Sequence, residues 1–215
     1  MALLPNSPKI YHIVNVDKLP SIISDGRLFC DSTMAQRAPA GTTIGMGSIK
    51  QRRLALPVKC YSGAVVGDFV PFYYCPRSVM LYVIHRASNP ELGYKGGQDP
   101  IVHLEADLNT VLAWAANVNN SWAASDSNAG AAYAQFSNSP AHFSTLNWGY
   151  IAATSWSQAD IKEAKQAEFL MYRSFPWHLV ERVGTKTLAT YNLVSNALAL
   201  ATHKPPVQII TNWYY

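Results

Sequence analysis

A single carboxylate, Glu168, stands inside the apolar run Lys165-Gln166-Ala167-Glu168-Phe169-Leu170-Met171-Tyr172. Read with a period of two, Ala167, Phe169 and Met171 face one way and Glu168, Leu170 and Tyr172 the other, so the acid has apolar neighbours. Such a group either reaches water at a strand end or is partly desolvated and needs a hydrogen-bonding partner, because an unpaired buried charge is costly. A lone Glu is ordinarily a solvated surface charge, so its case for chemistry depends on its companions. His12, at the centre of Ile10-Tyr11-His12-Ile13-Val14, is either a half-buried imidazole satisfied by a neighbour or a donor to a ligand. Arg52 and Arg53 are adjacent and cannot both face inward; one is solvated while the other can point into a cleft, where a guanidinium fork suits phosphate or a planar base. Between Asp68 and Ile84 the chain is at its most aromatic, and Tyr73, Tyr74 and Tyr82 beside Arg77 read either as a tyrosine-rich core or as a platform for stacking unpaired bases.

Other chemistries find no footing. The chain has no glycine-rich phosphate loop, no nucleophile elbow and no histidine, cysteine and carboxylate set at triad or zinc spacing. No metal is predicted. Cys30, Cys60 and Cys75 are odd in number and lack redox spacing, which fits a reducing compartment. No secretory layout and no apolar run long enough for a bilayer is present, so a soluble cytoplasmic protein without membrane association is expected. A net charge of +4 and a pI near 8.9 hint at nucleic acid, although solubility accounts for them equally well.

The elements that must position these residues read as one strand-rich α+β domain over 1–215. Ile10 to Val14 is a strand, followed by a helix with Asp17 as N-cap, Pro20 in its first turn and Gly26 as its stop. Cys30 to Gly47 is a loop that could order on ligand binding, and Ile49 to Leu54 a helical turn. Two strands separated by a turn at Cys75 to Ser78 fit the aromatic stretch, with Pro71 and Pro76 marking an edge open to a loop or ligand. Ile101 to Leu104 is a strand and Asp107 caps a helix carrying Leu108, Val111 and Leu112. A helical insertion at about 119–150, packed by Trp122, Tyr133, Phe136 and Phe143, precedes a turn at Asp160 to Ala164 and the strand of Glu168. A strand near Val180 to Val183, a helix from Leu188 to Leu198 and a strand at Val207 to Ile210 complete the chain.

Taken in order, Ile10-Tyr11-His12-Ile13, Arg52-Arg53, Asp68-Phe69-Val70-Pro71-Phe72-Tyr73, Pro76-Arg77-Ser78 with Met80-Leu81-Tyr82, Gln166-Ala167-Glu168-Phe169-Leu170 and the Trp213-Tyr214-Tyr215 end resemble the DarT family, bacterial toxins that ADP-ribosylate DNA. Residues 115–147 and 38–47 do not match that family residue by residue. The resemblance implies an ADP-ribosyltransferase-like fold, two small packed β-sheets around an NAD+ cleft with flanking helices. It places His12 on the adenosine ribose, the Ile13 backbone on the nicotinamide amide, and Tyr73 or Tyr74 on the nicotinamide ring. By the same resemblance Glu168 orients the nicotinamide ribose and Arg53 is the catalytic arginine, with Arg52, Arg77 and Tyr82 on the DNA side. Neither Glu168 nor Arg53 is expected in the core.

The implied reaction breaks the nicotinamide–ribose bond and leaves an oxocarbenium-like carbon, whose charge a carboxylate on the ribose 2′-hydroxyl stabilises. The acceptor implied is a base of single-stranded DNA, foremost thymine N3, since a paired base is out of reach. Arg53 would contact base and phosphates and help remove the N3 proton. A macrodomain antitoxin that removes the adduct is the implied partner, and a monomer is expected. Transfer to guanine or to protein, and a non-catalytic single-strand-binding module, are the alternatives; a binding module gains nothing from a carboxylate near phosphates.

Overall fold

In the computed structural model of the protein, residues 3–38 and 40–215 are described; Met1 and Ala2, and Pro39 of the expected loop, lie outside the described residues. Strand β1 (Lys9–Asn15) is the expected β-rich run. Asn15, whose side chain accepts from the Asp17 N–H, caps a 3-10 turn that leads into helix α1 (Leu19–Asp25). The cap therefore falls two residues before Asp17, whose carboxylate instead accepts from the Thr42 N–H and hydroxyl. Gly26, at φ 66°, ends the helix in the left-handed region that a side chain would strain. Strand β2 (Arg27–Phe29) precedes the stretch expected to be loop, a short helix α2 (Asp31–Met34) occupies the start of that stretch, and α3 (Gly47–Arg53) carries the basic cluster.

Strand β3 (Phe69–Tyr73) follows, but the second strand expected after it is helix α4 (Val79–Arg86). The Ser78 hydroxyl accepts from the Leu81 N–H at 3.2 Å, and Leu81 and Ile84, three residues apart, are buried. Cap and helical spacing together outweigh the β-branched residues of that run. Strand β4 (Ile101–Asp107) leads into α5 (Leu108–Asn117), capped by Asp107 as expected. The region read as helical holds strands β5 (Trp122–Asn128) and β6 (Phe136–Ser137) before helix α6 (Trp148–Ala152). Helix α7 (Ala159–Ala164) stands where a turn was expected. Then come β7 (Ala167–Tyr172), β8 (Ser174–Pro176), β9 (Arg182–Thr185), α8 (Leu188–Ala197) and β10 (Val207–Ile209).

Eight strands run in the order β10-β9-β4-β1-β3-β7-β5-β6, and β2 and β8 form a separate pair. The large sheet consists of two four-stranded halves. Strand β1 pairs with β4 over its whole length and β3 pairs likewise with β7, yet β1 and β3 meet only at Tyr11 and Tyr73. Continued by two residues, that register would set Ile13 opposite Pro71, which has no N–H to donate. The ladder stops there and the halves part. Along β7 the alternation holds as read: Phe169 and Met171 enter the main core with Ile10 and Phe72, while Leu170 joins a second cluster with Val58 and Phe69.

Candidate active site

Where the halves part, a cavity of about 240 Å³ opens, lined among others by His12 and Ile13 of β1, Ile22 of α1, Phe29 of β2, Ile44 and Tyr73. His12 Nδ1 lies 2.6 Å from the Pro71 carbonyl. A carbonyl only accepts, so Nδ1 carries the proton and donates across the gap that the missing proline N–H leaves open. Burial lowers the His12 pKa, against a smaller opposing effect of that hydrogen bond, and favours the neutral ring. Nε2 is then an acceptor, suited to a sugar hydroxyl.

Tyr73 connects this cavity to the carboxylate. It lines the cavity and stands opposite Glu168 in the β3–β7 register, so the two side chains share one face of the sheet. Burial raises the Tyr73 pKa and the charge of Glu168 raises it further, keeping the phenol protonated. Tyr74 points the other way, into the core, where its ring packs edge-on against Phe143 and Trp148. Of the two tyrosines named for the nicotinamide ring, only Tyr73 reaches the cavity.

Glu168 is 2% exposed and Arg53 7%, so both belong to the interior, contrary to expectation. They face each other as a fork: Arg53 Nη1 donates to Oε1 at 3.0 Å and Nη2 to Oε2 at 2.9 Å. The Ala129 N–H donates to Oε1 as well, at 3.1 Å. Burial alone would lower the Arg53 pKa, but the Glu168 charge and hydrogen bonds overcome it and the net shift is upward. A guanidinium held this firmly is no proton acceptor. Its help in removing a base proton is confined to its positive charge and its N–H donors.

The Glu168 setting depends on β5 and the residues that follow it, where the sequence pattern predicts a helical insertion. Pairing of β5 with β7 shifts register between Ala124 and Asn128, a bulge that turns the backbone so that Ala129 faces the carboxylate. Buried Ser125 fixes the bulge: its hydroxyl accepts from the Glu168 N–H at 3.1 Å and donates to the Ser127 carbonyl at 2.7 Å. At Gly130 a Cβ would come within 3.0 Å of Asn128 Oδ1, and the Arg52 guanidinium lies close by. Arg52 is thus the exposed member of the arginine pair, beside the bulge, while Arg53 is the inward one.

The remaining candidates gather elsewhere. The Arg77 guanidinium lies 4.3 Å from the centre of the Tyr215 ring, and Tyr82 meets Trp156 and Tyr215 edge-on at 4.8 and 5.1 Å. They form an aromatic patch of their own, held by the Tyr215 hydroxyl donating to the Arg77 carbonyl. Sequence reading missed Ser125 and the Ala129 N–H, for which an Ala- and Ser-rich run carries no signal, and also missed Lys18, Arg27 and Lys50, which line the cavity. Among the described residues no group of three or more His, Cys, Asp or Glu is placed to hold a metal ion, and no helix is long and apolar enough to cross a membrane.

A sheet split by one weak seam, a histidine at the seam and a buried glutamate on the facing strand define an ADP-ribosyltransferase fold. The family model described as "ssDNA thymidine ADP-ribosyltransferase, DarT" matches residues 11–215. A DNA ADP-ribosyl transferase of Thermus aquaticus is 35% identical over 208 residues, covering 96% of this chain and 88% of the relative. The structure of Thermus sp. 2.9 DarT in complex with ADP-ribosylated ssDNA superposes with a TM-score of 0.89 at 32% identity, covering 100% of this chain and 99% of the other. The same protein in complex with NAD+ superposes with a TM-score of 0.81 at 31% identity, over 98% and 99% of the two chains. The chain belongs to the DarT family of DNA ADP-ribosyltransferases.

Proposed function

We propose that this protein transfers ADP-ribose from NAD+ to thymine N3 in single-stranded DNA, as the toxin of a bacterial toxin–antitoxin pair. The observation that carries the reading is Glu168, buried on the strand facing Tyr73 and gripped by Arg53 at the seam of a split sheet. NAD+ is the co-substrate, as its presence in the Thermus sp. 2.9 DarT complex supports. Single-stranded DNA is the acceptor, in keeping with the ADP-ribosylated ssDNA held by the same relative.

His12 Nε2 accepts from the adenosine ribose, the Ile13 backbone holds the nicotinamide amide and Tyr73 stacks on its ring. Glu168 accepts from the 2′-hydroxyl of the nicotinamide ribose and offsets the charge that grows on C1′. The C1′–nitrogen bond breaks, nicotinamide leaves with the electron pair, thymine N3 bonds to C1′ and the N3 proton is released. Arg53 turns its remaining N–H groups and its charge towards the base. Arg52 beside the bulge, and Arg77 and Tyr82 in the aromatic patch, take the strand on either side. A base adduct blocks replication, so a macrodomain that removes it is the proposed partner.

Mass spectrometry of oligonucleotides incubated with NAD+ tests this directly. One added ADP-ribose on a thymine-bearing single strand, and none on the same sequence with thymine replaced, is the expected result. Modification of guanine, or of protein alone, overturns the thymine assignment, and a shift in gel mobility without NAD+ consumption would leave only a binding module.

A further inference from the structure

The aromatic patch of Arg77, Tyr82 and Tyr215 is tied down by a residue outside it. Arg77 makes no ion pair among the described residues, and its Nε is buried without a hydrogen-bond partner. The Tyr215 ring, 4.3 Å from the guanidinium carbon, sets its plane instead. A cation stacked on a ring keeps its charge for an anion. The Tyr215 hydroxyl donates to the Arg77 carbonyl at 3.0 Å, and burial pushes its pKa up to about 12, so it stays a donor. Where Tyr215 sits therefore decides where Arg77 points.

Tyr215 is in turn gripped by Gln98, 117 residues earlier in the chain. Gln98 is only 4% exposed, although it lies in the irregular stretch between α4 and β4. The Tyr215 N–H donates to Gln98 Oε1 at 3.0 Å, and since an N–H only donates, this fixes which way the amide faces. Nε2 then donates to the Tyr215 carbonyl at 2.9 Å and to His85 Nδ1 at 3.0 Å, so both of its hydrogens are used. His85 stands three residues after Tyr82 on α4, on the same side of the helix, and the two rings lie 6.2 Å apart. One buried amide thus joins the residue that orients Arg77 to the helical turn that carries Tyr82. Neither Gln98, His85 nor Tyr215 lines the cavity of His12 and Tyr73.

We infer that Gln98 is a positioning residue for transfer to DNA: through Tyr215 and His85 it orders Arg77 and Tyr82 in advance, so that an incoming strand need not immobilise them on binding. This rests on the proposed place of Arg77 and Tyr82 on the acceptor strand.

Steady-state kinetics with a thymine-bearing oligonucleotide varied at several salt concentrations, on the wild type, Gln98→Met, Arg77→Gln and the double variant, tests the role. Gln98→Met keeps the length of the side chain and removes all three hydrogen bonds. The KM for the oligonucleotide should rise about tenfold, while the KM for NAD+ and the kcat at saturating oligonucleotide stay near wild type. The slope of log KM against log salt should flatten by about 0.7, one phosphate contact on a single strand, in Gln98→Met and in Arg77→Gln, and no further in the double variant. A Gln98→Met protein with a lower melting temperature but a wild-type oligonucleotide KM and salt slope overturns the inference. So does an equal rise of both KM values, or a further flattening in the double variant. Tyr215→Leu keeps the test decisive even if Gln98→Met fails to fold: it removes the ring beneath Arg77, and an unchanged salt slope there overturns the inference as well. If Arg77→Gln flattens the slope and Gln98→Met does not, the inference is lost and the acceptor-strand reading stands; if Arg77→Gln itself keeps the wild-type slope, both are lost.

Discussion

Arg53 and Glu168, 115 residues apart in the chain, meet through two parallel hydrogen bonds of 3.0 and 2.9 Å in an interior almost closed to water. The pair joins the last turn of α3 to the centre of the split sheet, so the proposed catalytic carboxylate and the proposed base-facing cation are one structural unit. Removing either leaves the other as an uncompensated buried charge or an unpaired acceptor, and its effects on stability and on chemistry must be measured separately.

Glu168→Gln should therefore lower stability as well as rate. The amide keeps the shape but leaves the buried guanidinium unbalanced, at a cost of about 3–5 kcal/mol. Transfer should fall about a hundredfold to a thousandfold, with NAD+ binding retained by the folded fraction. The double variant Arg53→Met, Glu168→Gln should regain part of the melting temperature and none of the transfer. A Glu168→Gln protein that melts like the wild type argues against the pairing, and an active one against the catalytic role.

Ser125→Ala tests the bulge. It strips the Glu168 N–H and the Ser127 carbonyl of their buried partner, at about 1–3 kcal/mol, and frees the turn that brings the Ala129 N–H to the carboxylate. Transfer should fall with the melting temperature while NAD+ affinity, set in the neighbouring cavity, stays near wild type. Unchanged transfer in a destabilised protein would make Ser125 a purely structural residue.

The two adjacent tyrosines should separate cleanly. The Tyr74 hydroxyl is buried without a hydrogen-bond partner, so Tyr74→Phe should leave transfer intact and hold or raise the melting temperature. Tyr73→Ala should instead raise the KM for NAD+, because only Tyr73 reaches the cavity. Steady-state kinetics with NAD+ varied, beside thermal melts, reads both; the reverse pattern would exchange their assignments.

Acid should destabilise the protein through its buried histidines. Burial pushes the His103 pKa down to about 4, and that of His12 is lowered for the same reason. A histidine with a depressed folded pKa favours folding in its neutral form, so its contribution is complete above the unfolded value of about 6.5 and is lost as pH falls towards the folded one. Melting temperatures recorded from pH 7.5 down to pH 4, a span of about three and a half units around those values, should decline, and His103→Gln should flatten part of the decline. An identical slope in the variant would remove His103 from the account.

Locally coded features were legible in the chain itself. The Ile10–Val14 strand with His12 at its centre, the glycine stop at Gly26, the Asp107 cap, the alternation around Glu168 and the warning that Pro71 gives about an edge each depend on a few consecutive residues. What the tertiary structure decided is partnership. Nothing near Trp122–Asn128 announces a strand; Ala123 and Ala124 adopt one because β7 lies alongside and satisfies their backbone, and its bulge then supplies the Ala129 N–H. Val79 to Ile84 has β-branched residues but becomes helix because Ser78 caps it and Leu81 and Ile84 find a common core. Which arginine of the pair turns inward follows from the fork that Arg53 makes with Glu168 of β7, and which tyrosine lines the cavity from the register that puts Tyr73 at the seam: side-chain type is set by the chain, whereas direction and charge balance are set by contacts between segments far apart in it.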